Sequence, residues 1–190
     1  EHDVAVTHPE KILFPKAKIT KAEFVDYYRN VASYMLPHLQ GRPVSMDRFP
    51  EGINGEHFFQ KNVSKYFPEW ITTVEVEHHQ GKTRYVVCNY KPTLVYLANQ
   101  VVVPHIWPSR VGKLHNPDKM IFDLDPQDGK FADVCAAARR IREILDGVNL
   151  ESFVMSTGSR GLHVAVPIDG KLDFEKVGAF AKVIAQHLEE

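Results

Sequence analysis

After residue 118 the apolar pattern sets an order of strands and helices that few folds accommodate. A strand from 119 is followed by a helix at 131–145, strands at 151–156 and 162–167 around a turn, and a helix at 174–188. Helical and alternating periodicities distinguish these segments. The β-α-β-β-α order is that of a ferredoxin-like or RNA-recognition-like unit without its last strand. We therefore expect an α/β (α+β) fold, in a sequence that looks cut short and leaves a sheet edge for another strand to cover.

Residues 1–118 predict a mixed α/β subdomain. Thr20 and Glu23 have the spacing of a capping box at the start of a helix over 20–37, and Pro37 is expected to end that helix. The remaining predictions are strands at 44–48, 70–76 and 83–87, a short helix at 90–98 and an irregular connection at 104–118. A boundary between the two parts is expected at 118/119.

Composition excludes some classes of protein. The 190 residues are 44% apolar and carry a net charge of −1, which argues against a uniformly cationic coat for nucleic acid but allows local basic patches. No stretch approaches the roughly 18 apolar residues of a membrane span. A cytoplasmic protein without a membrane partner is expected. Cys88 and Cys135 match no metal-binding spacing and are expected to be free thiols.

Two carboxylates stand one residue apart at the end of the strand from 119. Residues i and i+2 of a strand point to one face, so Asp123 and Asp125 are expected to project together while Leu124 turns into the core. Such pairs suit Mg²⁺ or Mn²⁺, which take oxygen ligands and keep positions for substrate phosphates. The pattern favours phosphoryl or nucleotidyl transfer. The alternative is a pair of solvated surface groups, which is common near turns.

A glycine-rich turn joins the two strands that follow the first helix of this part. Small residues at 156–164 let backbone N–H groups approach an anion, and Arg160 adds charge. Thr157 and His163 are spaced to face one ligand across the turn. A tight hairpin with a satisfied histidine is the alternative. Beside the two carboxylates, the turn predicts a site for a nucleoside triphosphate.

Six motifs occur in order along the chain. They are Thr-His-Pro-Glu-Lys-Ile-Leu-Phe-Pro at 7–15, Gly-Arg-Pro-Val at 41–44, Gly-Glu-His-Phe-Phe-Gln-Lys at 55–61, His-Ile-Trp at 105–107, Phe-Asp-Leu-Asp-Pro at 122–126 and Thr-Gly-Ser-Arg-Gly-Leu-His at 157–163. Together they resemble the polymerase domain of bacterial and archaeal ligase D. That family is a branch of the archaeo-eukaryotic primase superfamily used in non-homologous end joining. The resemblance implies a primase-polymerase catalytic core over nearly the whole chain.

The resemblance also implies roles for particular residues. Asp123 and Asp125 would be the catalytic metal ligands for Mn²⁺ or Mg²⁺, and Lys11 and Lys21 would grip a DNA 5′-phosphate. Phe58 and Phe59 would stack on the template. The residues implied at the nucleotide are Arg48, Lys61, His105, Thr157, Ser159, Arg160, Gly161 and His163. Residues 1–118 would thus make the DNA contacts and 119–190 the catalytic unit of one polymerase domain.

The implied function is template-dependent nucleotidyl transfer that favours ribonucleotides, fills gaps and extends ends in double-strand break repair. The implied setting is a prokaryotic cytoplasm, at the nucleoid. The partners would be DNA with 5′-phosphorylated gaps or ends and nucleoside or deoxynucleoside triphosphates. A DNA ligase domain, a nuclease domain and a Ku-type end-binding protein are further candidate partners.

One departure from the family qualifies these expectations. The family's third catalytic aspartate lies on the strand that follows the last helix, and residues 1–190 contain no counterpart of it. We therefore expect a part of a longer protein that is inactive or severely impaired alone. Two alternatives stay open, a primase and a non-catalytic module that binds and bridges DNA ends. His57, His78, His79 and His115 match no motif and are expected to be surface residues.

Overall fold

The computed structural model describes residues 2–78, 81–126 and 130–188. His79, expected at the surface, lies outside them. The chain divides into an N-terminal unit, Glu1–Trp107, and a C-terminal unit, Pro108–Glu190. The described residues form four helices and antiparallel sheets, which confirms the mixed α/β class. None of the described helices is long and apolar enough to cross a membrane.

The N-terminal unit is built on an antiparallel sheet. Its elements are β1 (Ile12–Phe14), β2 (Ile19–Thr20), α1 (Lys21–Leu39), β3 (Pro43–Arg48), β4 (Phe58–Gln60), β5 (Thr73–His78), β6 (Gly81–Val87), α2 (Lys91–Asn99) and β7 (Val102–Ile106). β1 and β2 pair with each other, while β3 pairs with β4, β6 and β7, and β6 also pairs with β5. The central strand β3 therefore organises this unit.

Helix α1 begins as the sequence predicts. The Thr20 hydroxyl accepts from the Glu23 N–H, and the Glu23 carboxylate accepts from the Thr20 N–H. Val25 and Ala32 of α1 are buried in the first core of the protein, which includes Val44 and Met46 of β3. Burial of this helical face, more than helix propensity, holds α1 on the sheet.

Two predictions in this unit are wrong. Pro37 does not end α1, because the helix continues to Leu39 and the Gln40 N–H still donates to the Leu36 carbonyl. Residues 104–106, expected in an irregular connection, belong to β7. Among the described residues β7 pairs only with β3, so it is an edge strand, where the missing N–H of Pro104 is tolerated.

The C-terminal unit has the predicted β-α-β-β-α order. Its elements are β8 (Lys119–Leu124), α3 (Phe131–Gly147), β9 (Phe153–Ser156), β10 (Leu162–Pro167) and α4 (Phe174–Gln186). The antiparallel sheet has the order β8-β10-β9. Ile141 and Leu145 of α3 pack with Phe122 of β8 and Val164 of β10 in a second core.

The structural boundary between the units lies before the boundary expected from the sequence. Residues 108–118 belong with the C-terminal unit because their hydrogen bonds lie there. The Asp118 N–H donates to the Pro108 carbonyl at 2.9 Å, and the Ile168 N–H donates to the Asp118 carbonyl at 3.0 Å. This boundary is a structural one, and the functional division at 118/119 that the sequence predicts remains a prediction.

Both cysteines are free thiols, as expected. Cys88 is fully buried within the first core, and this burial raises the pKa of its thiol to about 12. A thiol that stays protonated is unreactive at neutral pH, so Cys88 acts as a packing residue.

Candidate functional site

The two carboxylates of the C-terminal unit lie at the end of β8. Met120 and Phe122 are buried and Ile121 and Asp123 are exposed, as the alternation of a strand requires. Leu124 packs against the second core, which confirms its predicted orientation. Asp125 directly follows the strand and is exposed. Both carboxylates are therefore accessible to a ligand.

Gly161 packs directly against Asp125. A Cβ atom at position 161 would lie 2.6 Å from Oδ1 of Asp125 and 2.7 Å from the carbonyl oxygen of Leu124. Real Cβ atoms do not approach other atoms this closely, so only glycine fits here without a shift of the turn. The close approach brings the glycine-rich turn and the carboxylate pair together.

Hydrogen bonds across its base close the glycine-rich turn. The Thr157 N–H donates to the Gly161 carbonyl, and the Gly161 N–H donates to the Thr157 hydroxyl, each at 3.2 Å. Gly158 has a φ of 82°, in the left-handed region that favours glycine. Ser159 and Arg160 are exposed at the tip. The turn thus presents a hydroxyl and a guanidinium while Thr157 holds its base.

His163 connects β10 to the first carboxylate. It is the cross-strand partner of Asp123, and its Nε2 lies 3.2 Å from Oδ1 of Asp123. Its Nδ1 is buried and has no hydrogen-bond partner among the described residues. The imidazole is therefore anchored through Asp123.

The donor chemistry of this site fits a divalent cation in part. Asp123 and Asp125 supply the oxygen ligands that Mg²⁺ and Mn²⁺ prefer. Within residues 2–78, 81–126 and 130–188, no group of three or more His, Cys, Asp or Glu side chains is arranged to hold a metal ion. Two carboxylates are enough for an ion that takes its remaining ligands from water and substrate phosphates. The residues present fit that mode of binding.

A cluster of cations lies in the N-terminal unit, at the start of α1. Lys21 is buried, and its ammonium donates to the Thr7 hydroxyl at 2.9 Å. Burial lowers the pKa of Lys21, and the positive charges of Lys11 and Arg48 lower it further. Lys11 pairs with Glu51 at 2.8 Å. Cations held together against their mutual repulsion favour an anionic ligand.

Arg48 belongs to this cation cluster. Its hydrogen bonds to Gln60, Tyr66 and Gln100 are 2.9, 2.6 and 2.9 Å long, and all three partners are neutral. Its guanidinium carbon lies 5.6 Å from the centroid of the Phe58 ring. Since neutral partners leave the charge uncompensated, Arg48 adds to the positive potential around Lys21.

A second cluster of the N-terminal unit surrounds Asp47, which sequence reasoning missed. One carboxylate oxygen of Asp47 lies 2.8 Å from Nδ1 of His57, and the other lies 4.0 Å from Nε2 of His105. His57, expected only to be a surface residue, therefore has a specific partner. Asp47 shares the polar positions of the alternation in β3 with Ser45, so the pattern of the strand does not single it out, and its partner is not local and could not be read from spacing.

The structure separates the two phenylalanines expected at the template. They are neighbours on β4, so their side chains leave opposite faces, and both remain exposed. Phe58 lies beneath Arg48, while Phe59 contacts the imidazoles of His57 and His105. The two rings therefore have different surroundings.

The residues predicted at a nucleotide divide between the two units. Thr157, Ser159, Arg160, Gly161 and His163 lie beside the carboxylate pair in the C-terminal unit, whereas Arg48, Lys61 and His105 lie in the N-terminal unit. Lys61 is exposed directly after β4. The roles of all these residues remain predictions.

Comparison with known proteins identifies the relatives of this chain. The profile of the family described as "LigD, primase-polymerase domain" matches residues 20–190. The multifunctional non-homologous end joining protein LigD of Mycolicibacterium smegmatis is 34% identical over 98% of this chain and 25% of its own length. The bifunctional non-homologous end joining protein LigD of Bacillus subtilis is 31% identical over 95% of this chain and 29% of its own length. The chain thus spans about a quarter of these relatives.

A solved structure agrees with the fold. The polymerase domain from Mycobacterium tuberculosis ligase D, in complex with DNA, superposes with a TM-score of 0.88 at 30% identity. The match covers all of this chain and 69% of that structure. The similarity in fold therefore covers the residues of both units.

Proposed function

We propose that this chain, which belongs to the LigD primase-polymerase domain family, is a metal-dependent nucleotidyltransferase that fills gaps and extends ends in non-homologous end joining. The observation that supports this most strongly is the contact between the carboxylate pair and the glycine-rich turn, where Gly161 lies against Asp125. The turn supplies donors for a triphosphate beside two ligands for a cation. Template dependence and a preference for ribonucleotides rest on membership of the family.

The residues of the C-terminal unit divide the work at this site. Asp123 and Asp125 would hold Mn²⁺ or Mg²⁺, which as a Lewis acid stabilises charge that develops on a phosphoryl oxygen. Arg160 and Ser159 at the tip of the turn bind the triphosphate oxygens. His163 orients the Asp123 carboxylate through the 3.2 Å contact with its Nε2. These side chains position a nucleoside triphosphate so that a primer 3′-hydroxyl attacks its α-phosphate and pyrophosphate leaves.

The cation cluster supports a role for the N-terminal unit in binding a DNA end. Lys21 is buried next to like charges. A 5′-phosphate placed there would neutralise them, and lysines bind phosphate as point charges. We assign Lys11 and Lys21 to this phosphate, and Arg48 to its electrostatic field. The same cluster favours a second candidate function, a non-catalytic module that binds and bridges DNA ends.

Primer extension separates the two candidates. The substrate is a gapped duplex with a 5′-phosphate, supplied with ribonucleotides and Mn²⁺. We expect slow extension by the unmodified protein, because the described residues supply two carboxylate ligands at this site rather than the three of the family. Asp123→Asn should extend the primer at least a hundredfold more slowly. Asp133→Asn, an exposed aspartate at the start of α3, is the matched control.

Three results of this assay are informative. Extension that survives in Asp123→Asn would contradict the assignment of the catalytic carboxylates. No extension by either protein, with tighter binding to phosphorylated than to unphosphorylated gaps, would show that these residues alone recognise DNA ends without catalysis, as a bridging module would. Extension without a primer would favour a primase.

A further inference from the structure

A buried carboxylate lies beside two imidazoles on the face of β3 that turns away from the first core. Asp47 retains 7% of its accessible surface. His57 lies 2.8 Å from one of its oxygens, and His105 lies 4.0 Å from the other. Burying a carboxylate is unfavourable unless nearby polar groups compensate it. The hydrogen bond to His57 supplies this compensation and fixes that imidazole, while His105 lies beyond hydrogen-bond distance of the same carboxylate.

The same cluster holds the ring of Phe59. Phe59 is the cross-strand partner of Asp47. Its ring meets both imidazoles edge-on, with centroids 6.4 Å from His57 and 5.1 Å from His105. Phe49 stacks on His57 at 4.8 Å, with the planes 5° apart. The rings of His57 and Phe59 are therefore held by contacts with their neighbours.

Both rings nonetheless remain accessible. The side chain of His57 is 51% exposed and Phe59 is 55% exposed. Planar rings that are fixed but accessible stack on nucleobases regardless of sequence. Lys61 is exposed directly after β4 and supplies a positive charge that suits a phosphate backbone. The surface thus combines the two elements that a single strand of nucleic acid requires.

We propose that His57 and Phe59 together form a stacking surface for unpaired bases of a single-stranded template, and that Asp47 and His105 are the positioning residues that hold it. The proposal rests on the proposed function and extends it, because it adds a second ring, His57, to the template contact. It also gives a role to Asp47, whose carboxylate fixes His57 through Nδ1. The buried charge of Asp47 is covered by the rings and does not face the strand.

The test uses duplexes that are either blunt or carry a single-stranded overhang with 2-aminopurine at successive positions. Stacking quenches the fluorescence of 2-aminopurine, and anisotropy gives the affinity. We expect His57→Ala to weaken binding of the overhang by at least about fivefold, to relieve the quenching and to leave blunt-end binding unchanged. His38→Ala, an exposed imidazole on α1, is the matched control and should change neither.

A rescue experiment tests the role of Asp47. Asp47→Asn should weaken overhang binding because its amide holds His57 less firmly than the carboxylate does. The double variant Asp47→Asn, His57→Phe should recover most of the affinity, since a phenyl ring stacks without a hydrogen bond to residue 47. A residue that merely stabilised the fold would weaken blunt and overhanging duplexes alike and would not be rescued by a ring at position 57.

Several outcomes would overturn the proposal. They are unchanged quenching in His57→Ala, equal losses on blunt and overhanging ends, or failure of the double variant to bind better than Asp47→Asn. These results are distinct from failure of the proposed function. If the proposed function itself were wrong, the unmodified protein would neither prefer 5′-phosphorylated gaps nor show extension that depends on Asp123.

Discussion

Single residues decide the chemistry available in each unit. Asp123 and Asp125 are predicted as a pair from their spacing, because the alternation of a strand fixes where residues i and i+2 lie, and their role remains a prediction. Asp47 and His57 were missed, because their 2.8 Å contact joins a strand to the loop before β4. Spacing along the chain does not record such a contact. The same limit applies to the hydrogen bond between Lys21 and Thr7, which only the fold reveals.

Gly161→Ala tests the close approach at the carboxylate pair. A methyl group would lie 2.6 Å from Asp125 and 2.7 Å from the Leu124 backbone. The turn must shift, which destabilises the protein by about 1–3 kcal/mol, and Mn²⁺-dependent nucleotide binding should weaken at least tenfold. Urea unfolding and calorimetry measure the two effects.

Gly178→Ala provides the control for this substitution. Gly178 lies within α4 with open space around its Cβ position. Alanine favours helix by up to about 1 kcal/mol, so this variant should be slightly more stable and should bind nucleotide normally. Equal behaviour of the two variants would refute the role of close packing at Gly161.

Secondary structure elements were predictable where the pattern was long or regular. β10 agrees with the sequence residue for residue, because Leu162–Pro167 is bounded by a glycine turn and alternates in burial. The short strands β1, β2 and β4 were missed, since two or three residues contain too little periodicity. β7 was missed because Pro104 is unfavourable in most strands, and only its edge position permits it.

Thr20→Ala tests whether the capping box at the start of α1 supports the cation cluster. Losing the hydroxyl that accepts from Glu23 should destabilise the protein by about 1 kcal/mol, as measured by urea unfolding. Lys21 is the next residue, so fraying of the first turn should also weaken binding of a 5′-phosphate. Thr20→Ser keeps the hydroxyl and should behave like the unmodified protein. A loss in the serine variant as large as in the alanine variant would contradict capping as the cause.

The whole molecule combines two units that each have an apolar core and a polar cluster. In the N-terminal unit, Lys11, Lys21 and Arg48 concentrate positive charge and Asp47 organises the rings around Phe59. In the C-terminal unit, the carboxylate pair lies against the glycine-rich turn. The order of motifs predicts in outline that DNA contacts and catalysis divide between the two parts of the chain, and this division remains a prediction. The hydrogen bonds that assign residues 108–118 to the C-terminal unit could not be predicted, because their partners are distant in sequence.

Calorimetric titration of a ribonucleoside triphosphate, with and without Mn²⁺, tests the central claim that Asp123 and Asp125 form a metal-dependent nucleotide site. The unmodified protein should bind the triphosphate only with Mn²⁺. Asp123→Asn removes one of the two charged ligands and should weaken that binding at least about tenfold, while a preference for 5′-phosphorylated gaps persists in the same variant. Equal Mn²⁺-dependent affinity in the two proteins would contradict the assignment of this site.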